Sequence, residues 1–335
     1  MFAYIVKRLL ASVLVLFIVS FSIFVLFFKG PEAPARPVCD SQTSNRCTTE
    51  RLAIYTEQLG YNNPMVSEYA KYMSGIVTGR DITVGSSTIR CDAPCLGLTF
   101  KTQQSVWDQL KGRIPATLSV AFGGAALYLI IGIPIGVAAA RRRGTLADKA
   151  LVSSFLVVSS IPYYLFALLT WLIVTIVLQV PGISSTGYTG LTDNPAKWFG
   201  GLILAWLCLG VFFSTAYTRY TRGAMVETLG EDYIRTAKAK GLPPRTVVYR
   251  HALRSALVPV VTIFGIDLGV LLAGTVFTEK IFNIYGIGLW GLQAVGSKDL
   301  PIVEATALFA AIMVIASNLI VDLIYSVLDP RVRLS

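Results

Sequence analysis

The chain has 335 residues, 54% of them hydrophobic and 14% charged, with a mean hydropathy of +0.63 and a net charge of +10. Soluble domains carry about 25% charged residues, so this balance excludes an ordinary soluble protein. The apolar residues gather into blocks of the length a helix needs to cross a bilayer, roughly 20 residues at about 1.5 Å each.

The first block covers residues 9–28 and follows a basic start, Lys7 and Arg8. Ala33-Pro34-Ala35 resembles a signal-peptide cleavage site, but the apolar run exceeds the roughly 7–15 residues of such a peptide. It is read as a retained anchor, residues 1–28. Residues 29–113 are polar and hold four of the five cysteines, Cys39, Cys47, Cys91 and Cys95. Four cysteines allow three pairings. Cys39–Cys47 and Cys91–Cys95, which close small loops, are favoured; crossed pairings and a four-thiolate zinc site are the alternatives. The favoured reading holds no metal.

Five further blocks follow in residues 114–335, at 116–140, 151–180, 198–217, 256–277 and 302–328. None alternates as a barrel strand would, so the expected fold is all-α, with six transmembrane helices. Gly132 and Gly136 form a G-x-x-x-G in the second block, suited to close helix packing, and Cys208 in the fourth is a small packing residue.

Basic residues orient the chain. With the N-terminus in the cytoplasm, the inner side carries Lys7, Arg8, Arg141–Arg143, Lys149, eight basic residues from Arg219 to Arg254, and Arg331 and Arg333. The two short outer loops carry only Lys197, Lys280 and Lys298. Both termini are therefore expected in the cytoplasm of a multi-pass inner-membrane protein. The positive charge is an inner collar beside lipid and calls for no nucleic acid.

The inner loop 219–255 holds the most organised polar stretch, "EDYIRTAKAKGLPP" at 231–244. Glu231 and Asp232 open a short helix and Lys238 and Lys240 close it, as the helix dipole prefers. Gly241 suits the left-handed position after a helix end, and Pro243-Pro244 prevents continuation. Small residues Thr236, Ala237 and Ala239 would let the helix sit close in a partner's groove. A solvated, topology-setting loop explains the charge but not this arrangement.

Other motifs carry less. No phosphate-binding G-x-x-x-x-G-K-[ST] occurs. "GIGLWG" at 286–291 matches G-x-G-x-x-G but follows no strand, so a tight turn is expected there. His251 sits beside Arg250 and Arg254 as an interfacial residue, and no acid–base pair suggests catalysis. Asp267 falls near the middle of the fifth block. An intramembrane carboxylate costs about 3 kcal/mol on insertion scales, so it faces either a hydrogen-bonding helix or a wet translocation path. Asp322, near the inner end of the sixth block, is read as structural.

Arg235-Thr236-Ala237, three residues, then Gly241 resembles the "EAA…G" loop of permease subunits of ABC importers. "DYIRTAKAKGL…VVYRHALRSALVP" (232–259), "SNLIVDLIYSVLDPRVR" (317–333) and "RIPATLSVA" (113–121) are similar to the peptide and nickel branch, most of all its B-type subunit. The resemblance is collinear over all six blocks. It departs at Arg235, at Arg254, where proline is frequent, at Tyr285, and in a cysteine-bearing insertion between Gly79-Arg80-Asp81 and Phe100.

The resemblance implies a type I permease fold and a peptide-transport subunit that is no enzyme; a permease for nickel or another small solute and, in a different class, a stand-alone channel or receptor are the alternatives. Its partners would be a second permease subunit, two cytoplasmic ATPases that hold the ATP and magnesium, and an extracytoplasmic peptide-binding protein. Carried over by position, Asp232, Tyr233, Arg235, Thr236, Ala237, Lys240, Gly241 and Leu242 would dock the ATPase, and Asp267 would lie on the substrate path.

Overall fold

Regular helix accounts for most of the chain because the apolar blocks leave their backbone groups no other partners in a membrane. The computed structural model describes residues 2–30, 32–43, 46–183 and 187–328, with side chains given from 6 to 321. The side chain of Asp322 lies outside the described set, as do Arg331 and Arg333. The chain divides into two units. One comprises residues up to 117 and 285–315, the other 118–284 and from 316 onward, so sequence blocks and structural units do not coincide.

The first unit opens with α1 (Phe2–Lys29), followed by α2 (Arg36–Gln42), α3 (Thr49–Gln58) and α4 (Met65–Thr78). Thr48 caps α3 by accepting the Arg51 amide at 3.4 Å. Tyr69 of α4 sets its ring edge-on to Phe21 and Phe24 of α1, at 5.1 and 5.3 Å, and that aromatic cluster seats α4 on α1. An antiparallel hairpin comes next, β1 (Arg80–Val84) and β2 (Ser87–Cys91), in register from Arg80↔Cys91 to Val84↔Ser87. This hairpin is the departure from an all-helical reading. Alternating Ile82, Val84 and Ile89 favour a pleated surface over a helix.

Two disulfides, Cys39–Cys47 and Cys91–Cys95, close loops with Cα atoms 5.5 Å apart. No thiolate set is left for zinc among the described residues. The unit is completed by the first turns of α5 (Val106–Arg141), by α13 (Ile287–Ser297) and by the start of α14 (Leu300–Leu328). The G-x-G-x-x-G stretch is the approach to α13, with Gly286 at its N-cap. Leu110, Ile287, Trp290, Ala305 and Phe309 form the apolar centre here. The Phe100 amide donates to Asp299 Oδ2 at 2.9 Å, tying the end of the polar region to the start of α14.

The second unit holds the rest of α5, then α6 (Leu146–Ser160), α7 (Tyr163–Trp171) running into a π-helical turn (Leu172–Val177), and α8 (Pro195–Gly230). α9 (Asp232–Ala239), α10 (Pro244–Thr246), a second π-helical turn (Val247–Ala252), α11 (Leu253–Ala273) and α12 (Val276–Ile281) follow. Among the described residues, five helices are long and apolar enough to cross a membrane, and six if one bent pair counts as a span.

That pair corrects the third expected block, which is no single helix. α6 and the run from Tyr163 to Val177 meet at 90°. Pro162 removes an amide and forces Ile161 into extended backbone, ψ 132°, ending α6. The fifth block also stops early: α11 ends at Ala273, where Gly274 takes φ +128°.

α5 and α8 pack at the distance glycine allows. A Cβ on Gly132 would stand 2.7 Å from Tyr217 Cβ, and one on Gly136 would stand 2.6 Å from Thr221 Cβ. Side chains larger than hydrogen would push the helices apart. Gly136→Val should therefore lower the unfolding free energy by about 1–3 kcal/mol in detergent micelles. Gly112→Ala, whose new Cβ meets nothing within 4 Å, should be neutral or slightly stabilising.

Candidate functional site

α8 cannot run straight into α9, because Glu231 between them is extended (φ −68°, ψ 149°). α9 then carries Asp232 in its first turn and Lys238 in its last, complementing the dipole. Its end is a Schellman motif. The Gly241 amide donates to the Lys238 carbonyl at 2.9 Å and the Leu242 amide to that of Ala237 at 3.4 Å. Gly241 sits at φ +75°, which glycine adopts without strain.

One face of α9 is buried in its own chain. Ile234 (0% exposed) and Ala237 (8%) pack against Val137, Met225, Val247, Val248, Ala252 and Ala256. Tyr233 Oη also donates to Ser255 Oγ at 3.0 Å, tying α9 to α11. The short helix is thus clamped to the ends of α5, α8 and α11.

This corrects one part of the expectation for the loop. Ala237 is turned inward, three residues after Ile234 on the same helix face, and its smallness serves the chain's own packing. The outward face carries Asp232, Arg235, Thr236, Lys238, Ala239 and Lys240, with Gly241 and Leu242 beyond. The small outward residues are Thr236 and Ala239. Tyr233 (45%), Leu242 (37%) and Tyr249 (54%) expose large apolar surface among the cations. Such a surface can bind a protein partner.

A second anchor escaped sequence reasoning. Arg222 of α8 grips Asp148 of α6 with two bonds, Nε to Oδ1 and Nη2 to Oδ2, both 2.7 Å. Asp148 is 3% exposed and also accepts the Gly144 amide at 3.0 Å. Thr145 Oγ1 accepts the Asp148 amide at 3.3 Å, so Thr145-x-x-Asp148 was a helix-start signal legible in the sequence. Its cation was not, because 74 residues separate the partners.

Asp267 is not part of the elbow. It lies 15 residues along from Ala252, about 22 Å at helical rise. Tyr217 Oη donates to Asp267 Oδ2 at 2.8 Å, and Tyr128 stacks on Tyr217 with centroids 4.6 Å apart. The carboxylate therefore has the helix-to-helix partner that an intramembrane acid requires. His251 is half-buried at the base of the elbow.

Residues 132–334 match the family described as binding-protein-dependent transport system inner membrane component, and residues 1–121 match its N-terminal companion. The probable peptide ABC transporter permease protein y4tP of Sinorhizobium fredii is 32% identical over 98% of this chain and 99% of its own. The dipeptide transport system permease protein DppB of Escherichia coli K12 is 33% identical over 90% of each chain. A solved structure of the MetNI methionine ABC transporter in an inward-facing conformation aligns with TM-score 0.51 and 18% identity, covering 67% of this chain and 97% of that one. The last likeness supports the fold alone, the type I ABC importer permease fold.

The clamp can be measured. Ile234→Ala should cost about 2–4 kcal/mol of unfolding free energy. Gly241→Ala should cost about 1 kcal/mol through its left-handed backbone. Arg222→Met should cost about 1–3 kcal/mol by removing both side-chain bonds to the enclosed Asp148 carboxylate, which keeps the Gly144 amide. Ala239→Ser, on the outward face, should change little. Denaturation of the purified chain in micelles separates these values.

Proposed function

The chain belongs to the family of binding-protein-dependent transport system inner membrane components, and from that membership we propose that it is a peptide-importing permease driven through α9 by a partner ATPase. It is a multi-pass membrane permease subunit of an ABC importer. The names of its relatives support short peptides as cargo. Nickel or another small solute is the alternative to peptide.

One observation carries the reading: α9 is clamped along a single face, with the Tyr233 hydroxyl bonded to Ser255, while Leu242, the Tyr233 ring and basic side chains on its other face are exposed among the described residues. A solvated topology loop needs neither the clamp nor the Schellman stop. A cleft on an ATPase subunit fits that face, and its closure would be passed to α8 and α11, between which α9 is tied. ATP and magnesium would be held by the ATPases. A second permease subunit would complete the pathway, and an extracytoplasmic binding protein would deliver peptide. The collar of Lys and Arg supports cytoplasmic termini, with the bent α6–α7 pair counting as one span.

Asp267 remains a proposed element of the path. Its bond to Tyr217 spans two of the helices that α9 couples, so movement at the elbow would alter what that carboxylate faces.

Co-purification tests the docking. Thr236→Trp and Ala239→Trp add bulk only to the outward face, so both should cut ATPase capture and peptide-stimulated ATP hydrolysis at least about tenfold while leaving the melting temperature of the isolated chain unchanged. Undiminished capture would remove α9 as the docking element. In reconstituted vesicles, a ladder of peptide lengths run beside nickel should show peptide uptake, and nickel-only uptake would replace the cargo assignment. Asp267→Asn should change peptide preference without reducing ATPase capture; identical uptake of every peptide would take Asp267 off the path.

A further inference from the structure

A cavity of about 440 Å³ lies wholly within the first unit, among the end of α1, α4, the β-hairpin, the loop following it and the first turn of α14. Its size is in the range of small-ligand sites, roughly 300–1,000 Å³. Phe24, Phe27 and Phe28 make an apolar wall. Three polar side chains also line it, Tyr72, whose ring packs on Phe24, Arg80 and Glu304, each with an atom buried and without a hydrogen-bond partner among the described residues: Tyr72 Oη, Arg80 Nε and Glu304 Oε1.

Such orphans are uncommon, and three around one cavity are informative. Tyr72 is only 3% exposed. The Arg80 guanidinium lies over its ring, 5.4 Å from the centroid, which fixes the cation without satisfying Nε. Other ionic groups on the wall are already engaged. Glu68 accepts from Lys71 at 2.7 Å and from Asn63 at 2.8 Å, and Asp81 pairs with Arg90 at 3.3 Å. Glu57 is exposed. Burial lowers the Arg80 pKa, and the nearby Tyr72 and Glu304 oppose that shift. Burial first, then the Glu304 charge, raises the pKa of Tyr72. Arg80 and Glu304 both line the cavity.

This combination selects a ligand. A simple anion would satisfy Arg80 but meet repulsion from Glu304, and a simple cation would meet the converse. A molecule that carries both charges satisfies both groups and adds no net charge to the cavity. We propose that this cavity binds a small zwitterion, with its acid group on Arg80, its ammonium on Glu304, the Tyr72 hydroxyl bridging, and any apolar substituent against Phe24 and Phe28. The same chemistry is carried by a free amino acid or dipeptide and by a phosphatidylethanolamine headgroup. The inference does not rest on the transport reading, and its test needs no ATPase.

Thermal unfolding of the full chain in phosphatidylcholine nanodiscs provides that test, because a quaternary ammonium has no N–H to offer Glu304. Alanyl-alanine is titrated beside N-acetyl-alanyl-alanine amide, which lacks both charges. A second series exchanges phosphatidylcholine for phosphatidylethanolamine. Saturation by the dipeptide should raise the melting temperature by about 3 °C or more, the neutral analogue should not, and Arg80→Met with Glu304→Gln should abolish the rise. A rise on lipid exchange alone, abolished by the same variants, assigns the site to the headgroup. The proposal is overturned by an equal rise with the neutral analogue, by a rise that survives both substitutions, or by no rise in either series. Should the variants fail to fold, the charged and neutral ligands on the unaltered chain still decide.

Discussion

The second unit depends on where Ile234 goes. An eight-residue helix is too short to hold its shape alone in water, since nucleation is costly and few bonds repay it. α9 persists because Ile234 and Ala237 are buried among side chains from α5, α8, the π-helical turn and α11. The Schellman stop at Gly241 fixes its length, and the extended Glu231 fixes its direction. Without that buried face the stretch would be a charged loop. With it, Arg235, Thr236 and Ala239 are held at defined positions on a rigid support.

The support is wider than the helix. Arg222 and Asp148 join α8 to α6 by a bidentate pair whose carboxylate is almost fully enclosed. Such a pair contributes little net stability, but removing the half-buried cation from the enclosed carboxylate is costly. The pair therefore acts as a latch on geometry. Gly132 and Gly136 bring α5 against α8, completing the frame around the elbow. The continuity of these contacts is what would let a push on α9 reach the helices bearing Tyr217 and Asp267.

Much of this was legible in the sequence, and the failures have physical causes. Apolar blocks report membrane helices because composition and length are the whole signal. The end of α9 was readable because glycine and proline constrain backbone directly. The bend after α6 was missed although Pro162 was in view, because the apolar composition runs on through it without change. Ala237 was assigned outward because a small residue packs equally well against a partner or its own chain. Only the three-residue step from Ile234 separates the two. The Asp148–Arg222 pair could not be read, since nothing local connects residues so distant. The Arg80–Tyr72–Glu304 cluster joins elements more than 200 residues apart, so it too was invisible.

These misses share a direction. Sequence reading resolves what a residue does to its own backbone and loses what it does to a distant neighbour, and the polar groups of this chain act mostly at a distance. Asp267 shows the consequence. Seen alone it is an unpaired acid in apolar surroundings, which invites a functional role. Seen with Tyr217 it is one end of a bond between α8 and α11. The two roles need not compete. A carboxylate whose side-chain partner sits on the neighbouring helix changes its surroundings whenever those helices shift. In this fold, α9 is tied to both, through Ile234 and Ala237 and through the Tyr233–Ser255 bond.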